Sequence, residues 1–358
     1  MARDRRLSLE QSKRLNKARL LGTGRDITIN LSDNELLKLL VVIASDTGRH
    51  DLLKGLPPLP AMAGGDYYKV PIPWFSERAE GPVFVETYLQ YVNDLEDFET
   101  YFDCLCELHK RRKKYAIILT AQPLPTMVQV SPRSLLEFGG LPSDALASWL
   151  TWRKWFFDID NRAGQETGYL FEPILASSLG GSPYSSSRSP IRRASDDKKG
   201  RQVDCIVGKD AYEFKLRVTI AASGQGRFGE EIDFAHDCRN SGYRPVLLVL
   251  DPTPNPRLSD LKAAFEQAQG VAFIGDKAWE HLESEAGETM ATFVERYVRR
   301  PIAEIGRHSP NLLDLYASAG QDRREFIFRL GTGAAQYEWK IHRAENQALA
   351  VADDDEPL

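Results

Sequence analysis

Three side chains in the stretch VDCIVGKDAYEFKLRVTIAASG (residues 203–224) could do chemistry together: Asp204, Glu213 and Lys215. Apolar residues alternate with polar ones on both sides of the Gly-Lys-Asp triplet, which reads as a β-hairpin with its turn within residues 208–211. The apolar faces meet if Val207 opposes Tyr212 and Cys205 opposes Phe214, because opposed residues in an antiparallel pair share a face. That register sets Asp204 against Lys215, with Glu213 diagonal to Asp204. Two carboxylates so close repel unless one takes a proton or a cation lies between them. Lys215 is one such cation. A divalent metal is another, and carboxylate oxygens suit Mg²⁺. A lysine beside the metal can orient or deprotonate a water, and the metal can lower that water's pKa and neutralise a phosphate oxygen. Together these are the parts for phosphodiester hydrolysis. The competing reading is an amphipathic strand whose charged face is merely solvated.

The surrounding elements must position this hairpin. Ser32 and Glu35 form a capping box before the apolar run LLKLLVVIA, and a helical pattern runs from about residue 85 to 114. That pattern ends in HKRRKK, where cations would suit a helix C-terminus. LASWLTWRKWFFDID reads as an aromatic helix with core tryptophans, so residues 1–150 form a mostly helical region. QETGYLFEPILASSLGG reads as a second helix closed by Gly180 and Gly181. After the hairpin come a glycine-rich loop (ASGQGRFG), a helix (EEIDFAHDCRNSG), a buried strand (RPVLLVLD), a helix (LSDLKAAFEQAQG) and a short strand (VAFIG). This order predicts a mixed sheet with crossover helices. Residues beyond 279 read as largely helical, and the acidic ADDDEPL end as disordered.

The totals exclude some classes. The 358 residues carry a formal charge of −5, so no global basic signature marks a nucleic-acid partner, although residues 1–25 hold eight Arg or Lys. The longest apolar run is too short to span a bilayer, and no targeting segment is visible. Cys104, Cys106, Cys205 and Cys238 lack paired zinc spacing and read as reduced thiols of a cytoplasmic protein. GTGAAQ lacks the Lys-Ser/Thr of a phosphate-binding loop. His236 and His281 read as surface or satisfied core residues.

GYLFEPIL, QVDCIV, YEFKLR, EEIDFAHDCRNSG and PVLLVLD, in this order, resemble the core of the PD-(D/E)XK nuclease superfamily, and within it the type II restriction endonucleases. ETGYLFEPILASSLGG and RVTIAASGQGRFGEE are similar to phrases of ApaLI-like enzymes. The resemblance implies a mixed α/β (α+β) fold. A nuclease core over 151–280 would hold a central sheet flanked by helices, between the helical 1–150 region and a helical extension over 281–358. It implies Asp204 and Glu213 as Mg²⁺ ligands, Lys215 as the catalytic lysine and Glu172 as the helix acid, with Glu166 the runner-up. Gln202 and Val203 stand before the aspartate where the motif's name has proline. The resemblance further implies a homodimer that cuts palindromic double-stranded DNA to 5′-phosphate and 3′-hydroxyl ends, beside a cognate methyltransferase. In this reading the polar segment 182–201 meets DNA through Arg188, Arg192, Arg193, Lys198, Lys199 and Arg201, and Arg217, Gln225 and Arg227 lead from the strand toward the bases. A repair nuclease without a fixed site, or a non-catalytic DNA-binding protein, are the alternatives.

Overall fold

The helices of the amino-terminal half begin where the caps dictate. The computed structural model describes residues 7–22, 27–61, 66–122, 124–216, 225–251, 253–254, 256–308, 312–320, 325–333 and 336–342. Ser8 and Gln11 close a capping box ahead of α1 (Leu9–Arg19). A short pairing of β1 (Leu20–Leu21) with β2 (Ile29–Asn30) follows. The Ser32–Glu35 box then opens α2 (Asp33–Asp46), as its sequence predicts. After α3 (Ile72–Ser76), the long pattern expected as one helix is two, α4 (Phe84–Asp94) and α5 (Phe98–Ala121). Asp97 sits between them at a left-handed φ of 53°, which breaks the helical path. HKRRKK therefore lies inside α5 rather than at its end.

Those cations are turned to internal use. Lys110 Nζ donates to the carbonyls of Lys17 and Leu20, at 2.8 and 2.9 Å. Arg112 donates to the carbonyls of Tyr67, Tyr68 and Val70. Lys113 pairs with Glu35, and the buried His109 ring meets the Tyr67 hydroxyl at 2.9 Å. The run fastens α5 to the elements around it, so neither the helix-dipole reading nor phosphate contact accounts for it.

α6 (Met127–Val130) leads into α7 (Ser143–Ser178), a single helix where two were expected. The boundary expected at residue 150 falls inside it. One apolar core continues from α2, α4 and α5 through Leu170, Ile174 and Leu175 of α7 to the central sheet.

That sheet holds β3 (Ser182–Tyr184), β6 (Val203–Val207), β7 (Asp210–Lys215), β8 (Arg244–Val249) and β9 (Val271–Ile274), adjacent in this order. β4 (Arg192–Arg193) and β5 (Asp196–Gly200) form a separate ribbon before β6. β3, β6 and β7 pair antiparallel, and β7, β8 and β9 run parallel. The parallel connections are made by α8 (Gln225–Asn240) and α9 (Pro256–Gln267). Cys205, Tyr212, Phe214 and Leu248 face the large core. Ala211, Leu247 and Val249 face a second core with Phe234, Leu261 and Phe265 of α8 and α9. Both faces of β7 are thus covered, with Asp210 at its start and Glu213 and Lys215 toward its end rather than a continuous wet face.

The carboxyl end departs from expectation. α10 (Asp276–Glu285), α11 (Glu288–Val294), a π-helical turn (Glu295–Arg299) and α12 (Arg300–His308) are helical as expected. Beyond them stands an antiparallel sheet of β10 (Leu315–Ala319), β11 (Glu325–Leu330) and β12 (Tyr337–His342). Phe326 and Phe328, two apart on β11, and Ile341, opposite Phe326 on β12, close on Trp155, a same-face spacing that a strand permits and a helix does not. The acidic end lies outside the described residues. The four cysteines are free and buried.

The junction of α7 with the sheet is close enough to be tested. Gly180 takes a φ of 67°, and Gly181 then lies flat against β6. A Cβ on Gly181 would come within 2.8 Å of Val207 Cγ2 and 2.9 Å of the Ile206 carbonyl oxygen. Gly181→Ala is expected to lower stability by about 1–3 kcal/mol, the usual cost of overpacking. Urea unfolding measures it, and a change under about 0.5 kcal/mol, as at a free surface position, would contradict this packing.

Candidate active site

The hairpin is tighter than its apolar pattern alone predicts. Val207 pairs with Asp210, Ile206 with Ala211 and Cys205 with Tyr212, not Val207 with Tyr212. The turn is the two residues Gly208 and Lys209, with Gly208 at a φ of 58°, the conformation required at the first position of a type II′ turn. The shift is two residues, so Cys205, Tyr212 and Phe214 keep their predicted shared face, whereas Val203, expected beside them, packs into the second core with Ala211 and Leu247. The regular pairing ends at Cys205 with Tyr212, and Asp204 meets β7 through its side chain at the Phe214 N–H instead of standing against Lys215.

Each group is held from a different direction. Asp204 Oδ2 accepts the backbone N–H of Phe214 at 2.8 Å. Burial, then the charges of Glu213 and Glu172, push its carboxyl well above the usual range, against the pull of the Phe214 N–H and Lys215. Glu172 stands on α7, which packs against β3 and β6. Burial and then Glu213 raise its carboxyl to about 7, with Lys215 opposing. Lys215 Nζ lies 2.8 Å from Glu213 Oε1 and 3.0 Å from Glu231 Oε1. Burial favours its neutral form, but Glu213 and Glu231 outweigh burial and raise its pKa. In this arrangement Lys215 is held as an ammonium, which can donate to an oxygen or orient a water.

Glu166, the other acid of the same helix, belongs elsewhere. It is buried among Arg111 (2.8 Å), Lys114 (3.1 Å) and Arg162 (3.9 Å). Burial raises its pKa, and those pairs more than offset it, so the carboxyl lies below its ordinary value. Glu172 is the acid of α7 that shares a field with Glu213 and Lys215.

Glu231 is a residue that sequence reasoning missed. It comes from α8 and approaches Lys215 across the sheet face, with its Oε2 solvent-free and without a partner among the described residues. The one available signal was the Glu230-Glu231 pair of the helix after the strand, and nothing in the sequence says which of the two faces the lysine.

The polar segment before β6 is partly built structure. Arg201 is buried, and its guanidinium binds Asp237 at 2.5 Å and Glu230 at 2.7 Å. Asp237 also accepts the backbone N–H of Ala194 at 2.7 Å. Arg201 thus fastens the β4–β5 ribbon to α8, and its expected role on phosphates is corrected: its charge is already matched inside the protein. Arg193 donates to both oxygens of Glu230, at 3.0 and 2.9 Å. Arg188, Arg192, Lys198 and Lys199 are exposed, with Lys199 3.4 Å from Asp196. Arg217 lies outside the described residues, as do the side chains of Gln225 and Arg227. Gln225, Gly226 and Arg227 begin α8 rather than forming the expected loop. His281 is half-buried and partnered: its Nε2 meets the Tyr212 hydroxyl at 3.1 Å and its ring stacks on Phe273.

Among the described residues, no three His, Cys, Asp or Glu side chains are gathered closely enough to grip a metal ion as they are placed. No described helix is long and apolar enough to cross a membrane.

The site is therefore an acidic cluster around one lysine, at the end of a mixed sheet clasped by helices. Residues 82–299 match the ApaLI-like restriction endonucleases, and the chain belongs to that family. It is a site-specific endonuclease of restriction type, a hydrolase of DNA. Over 383 aligned residues it is 46% identical to the Type II restriction enzyme ApaLI of Acetobacter pasteurianus, covering 99% of this chain and 100% of that protein. No solved structure matches the chain.

Proposed function

We propose that the chain is a PD-(D/E)XK type II restriction endonuclease. It cuts palindromic double-stranded DNA as a homodimer in the presence of Mg²⁺ and leaves 5′-phosphate and 3′-hydroxyl ends. The observation that carries this reading is the meeting of Glu172, Asp204 and Glu213 around Lys215. Burial and mutual repulsion raise the Glu172 and Asp204 carboxyls, a repulsion that a bound cation would relieve. The donors are hard oxygens, which fit Mg²⁺.

Asp204 and Glu213 would hold the ion, with Glu172 completing the acidic wall. When bound, Mg²⁺ supplies Lewis acidity toward a phosphate oxygen and makes a water more acidic. Asp204 contributes a carboxylate already aimed by the Phe214 N–H. Lys215 contributes a permanent positive charge that can steady the phosphate oxygens as negative charge builds during attack. Arg188, Arg192, Lys198 and Lys199 present an exposed basic ribbon to phosphates, and Arg193 joins them if it leaves Glu230. Arg217, Gln225 and Arg227 remain candidates for base contact. For the homodimer, Val128, Leu135, Leu136, Phe138, Trp149 and Phe157 supply exposed apolar residues around α6 and the start of α7. A cognate methyltransferase would protect the host's own sites.

The test is digestion of phage DNA by the purified chain with and without Mg²⁺. Discrete, Mg²⁺-dependent fragments with ligatable ends are expected. A smear would point to a nuclease without a fixed site, and intact DNA from a folded dimer would overturn the reading.

A further inference from the structure

We propose that Glu231 is a positioning residue for Lys215, holding the ammonium in place once Glu213 turns to a cation. This rests on the reading of Asp204 and Glu213 as the cation's ligands. Lys215 Nζ is shared by two carboxylates from different elements: Glu213 Oε1 on its own strand at 2.8 Å, and Glu231 Oε1 on α8 at 3.0 Å. A carboxylate oxygen that donates to a divalent ion has less electron density left for an ammonium. The Glu213 anchor therefore weakens in the state that reacts. A lysine tethered only by its flexible four-carbon stem would then sample several rotamers. Glu231 is free of that competition, because it reaches Lys215 from α8 and is not among the cation's proposed ligands.

Two further features suit Glu231 to this task. Its Oε2 is shut off from solvent without a partner among the described residues, so the pair with Lys215 is the described contact that supports its charge. The helix beneath it is also anchored: the adjacent Glu230 binds Arg193 and Arg201, and Asp237, two turns on, binds Arg201 as well. α8 thus carries one glutamate into the basic ribbon and the next into the acidic cluster, which fixes where Glu231 can stand.

The experiment compares Glu231→Ala and Glu231→Gln in the full-length protein by single-turnover cleavage, DNA affinity and Mn²⁺ binding, each also in a Lys215→Ala background. Glu231→Ala is expected to lower the cleavage rate about 10²-fold, the scale of a misplaced catalytic group. DNA and Mn²⁺ affinities should stay within about threefold, well short of the tenfold that marks a lost ligand partner. Glu231→Gln keeps an acceptor and the side chain's shape, so it should recover a large part of the rate. With Lys215 already removed, Glu231→Ala should add nothing, because residues acting through one another are not additive.

Wild-type cleavage by Glu231→Ala would overturn the proposal, as would a further loss in the Lys215→Ala background. A tenfold drop in Mn²⁺ affinity would overturn it in favour of a direct ligand. If Asp204→Asn is inactive while Glu231→Ala cuts normally, this proposal alone fails. If Asp204→Asn also cuts normally, the reading beneath it fails too.

Discussion

Asp204→Asn is expected to lose cleavage by roughly 10³-fold or more while keeping its fold and its affinity for DNA. That loss corresponds to about 4 kcal/mol of barrier, within the several kcal/mol that a cation's charge stabilisation can supply. The substitution is nearly isosteric. The amide oxygen of the new side chain can still accept the Phe214 N–H that Asp204 Oδ2 accepts at 2.8 Å, so the hairpin has no reason to move. What disappears is one formal charge, at the point where Glu213 and Glu172 already crowd it. DNA binding measured with Ca²⁺ and cleavage measured with Mg²⁺ separate the two effects. Cleavage within tenfold of wild type would remove Asp204 from the chemistry. Loss of DNA binding together with cleavage would assign it a structural role instead.

The sequence carried the faces of this site better than its distances. Alternation put Asp204, Glu213 and Lys215 on one side of the hairpin; the structure pairs Lys215 with Glu213 and sets Asp204 on the Phe214 N–H. It did not give the register, because a two-residue slip preserves every face, and only the conformation of Gly208 decides between them. Strands β8 and β9 and their crossover helices were legible because continuous apolar runs and amphipathic helices are local signals. Where the partner lay far along the chain, reading failed. HKRRKK looked like a helix end or a phosphate patch, and its uses are the carbonyls of residues 17–20 and 67–70 and the carboxylates of Glu35 and Glu166. Arg201 looked like a phosphate contact until Asp237 and Glu230 arrived from α8. The same long-range packing brings Glu231 to Lys215, so the error about Arg201 and the silence about Glu231 have one cause. The carboxyl-terminal strands were read as helix because their apolar alternation is broken by polar residues and becomes decisive only against Trp155.

These failures share a direction. Charged residues read as outward-facing turned out to be spent inside the molecule, and the cations left for DNA are fewer and more localised than the composition suggests. Arg188, Arg192, Lys198 and Lys199 stay exposed on or beside a ribbon that Arg201 ties to α8, the helix that also reaches Lys215. Under the proposed reading, a basic surface tied to α8 would set the separation between a bound phosphate and the acidic cluster.

Glu172→Gln is expected to stabilise the metal-free protein at neutral and alkaline pH while impairing cleavage. The Glu172 carboxyl is raised to about 7 from an ordinary 4.5 by burial and by Glu213. The folded protein then holds this proton more tightly than the unfolded chain does. Below about pH 4.5 both states are protonated and the residue costs nothing. Between 4.5 and 7 the unfolded chain releases the proton first, so stability falls as pH rises, and above 7 the loss levels off at no more than about 3 kcal/mol. Glutamine cannot ionise, so the variant should lack this fall and melt a few degrees higher at pH 8, with little difference at pH 4. A divalent cation acts in the opposite sense. It favours the ionised cluster, so Ca²⁺ should stabilise the wild type at pH 8, do little at pH 5, and help Glu172→Gln less at either pH. Thermal unfolding across this range, in chelator and in Ca²⁺, measures all of these. A variant whose melting curve tracks the wild type in chelator at every pH would show that Glu172 carries no such strain. The stability lost without the cation would then have to be sought at Asp204, where the same neighbours press on a carboxylate that accepts the Phe214 N–H.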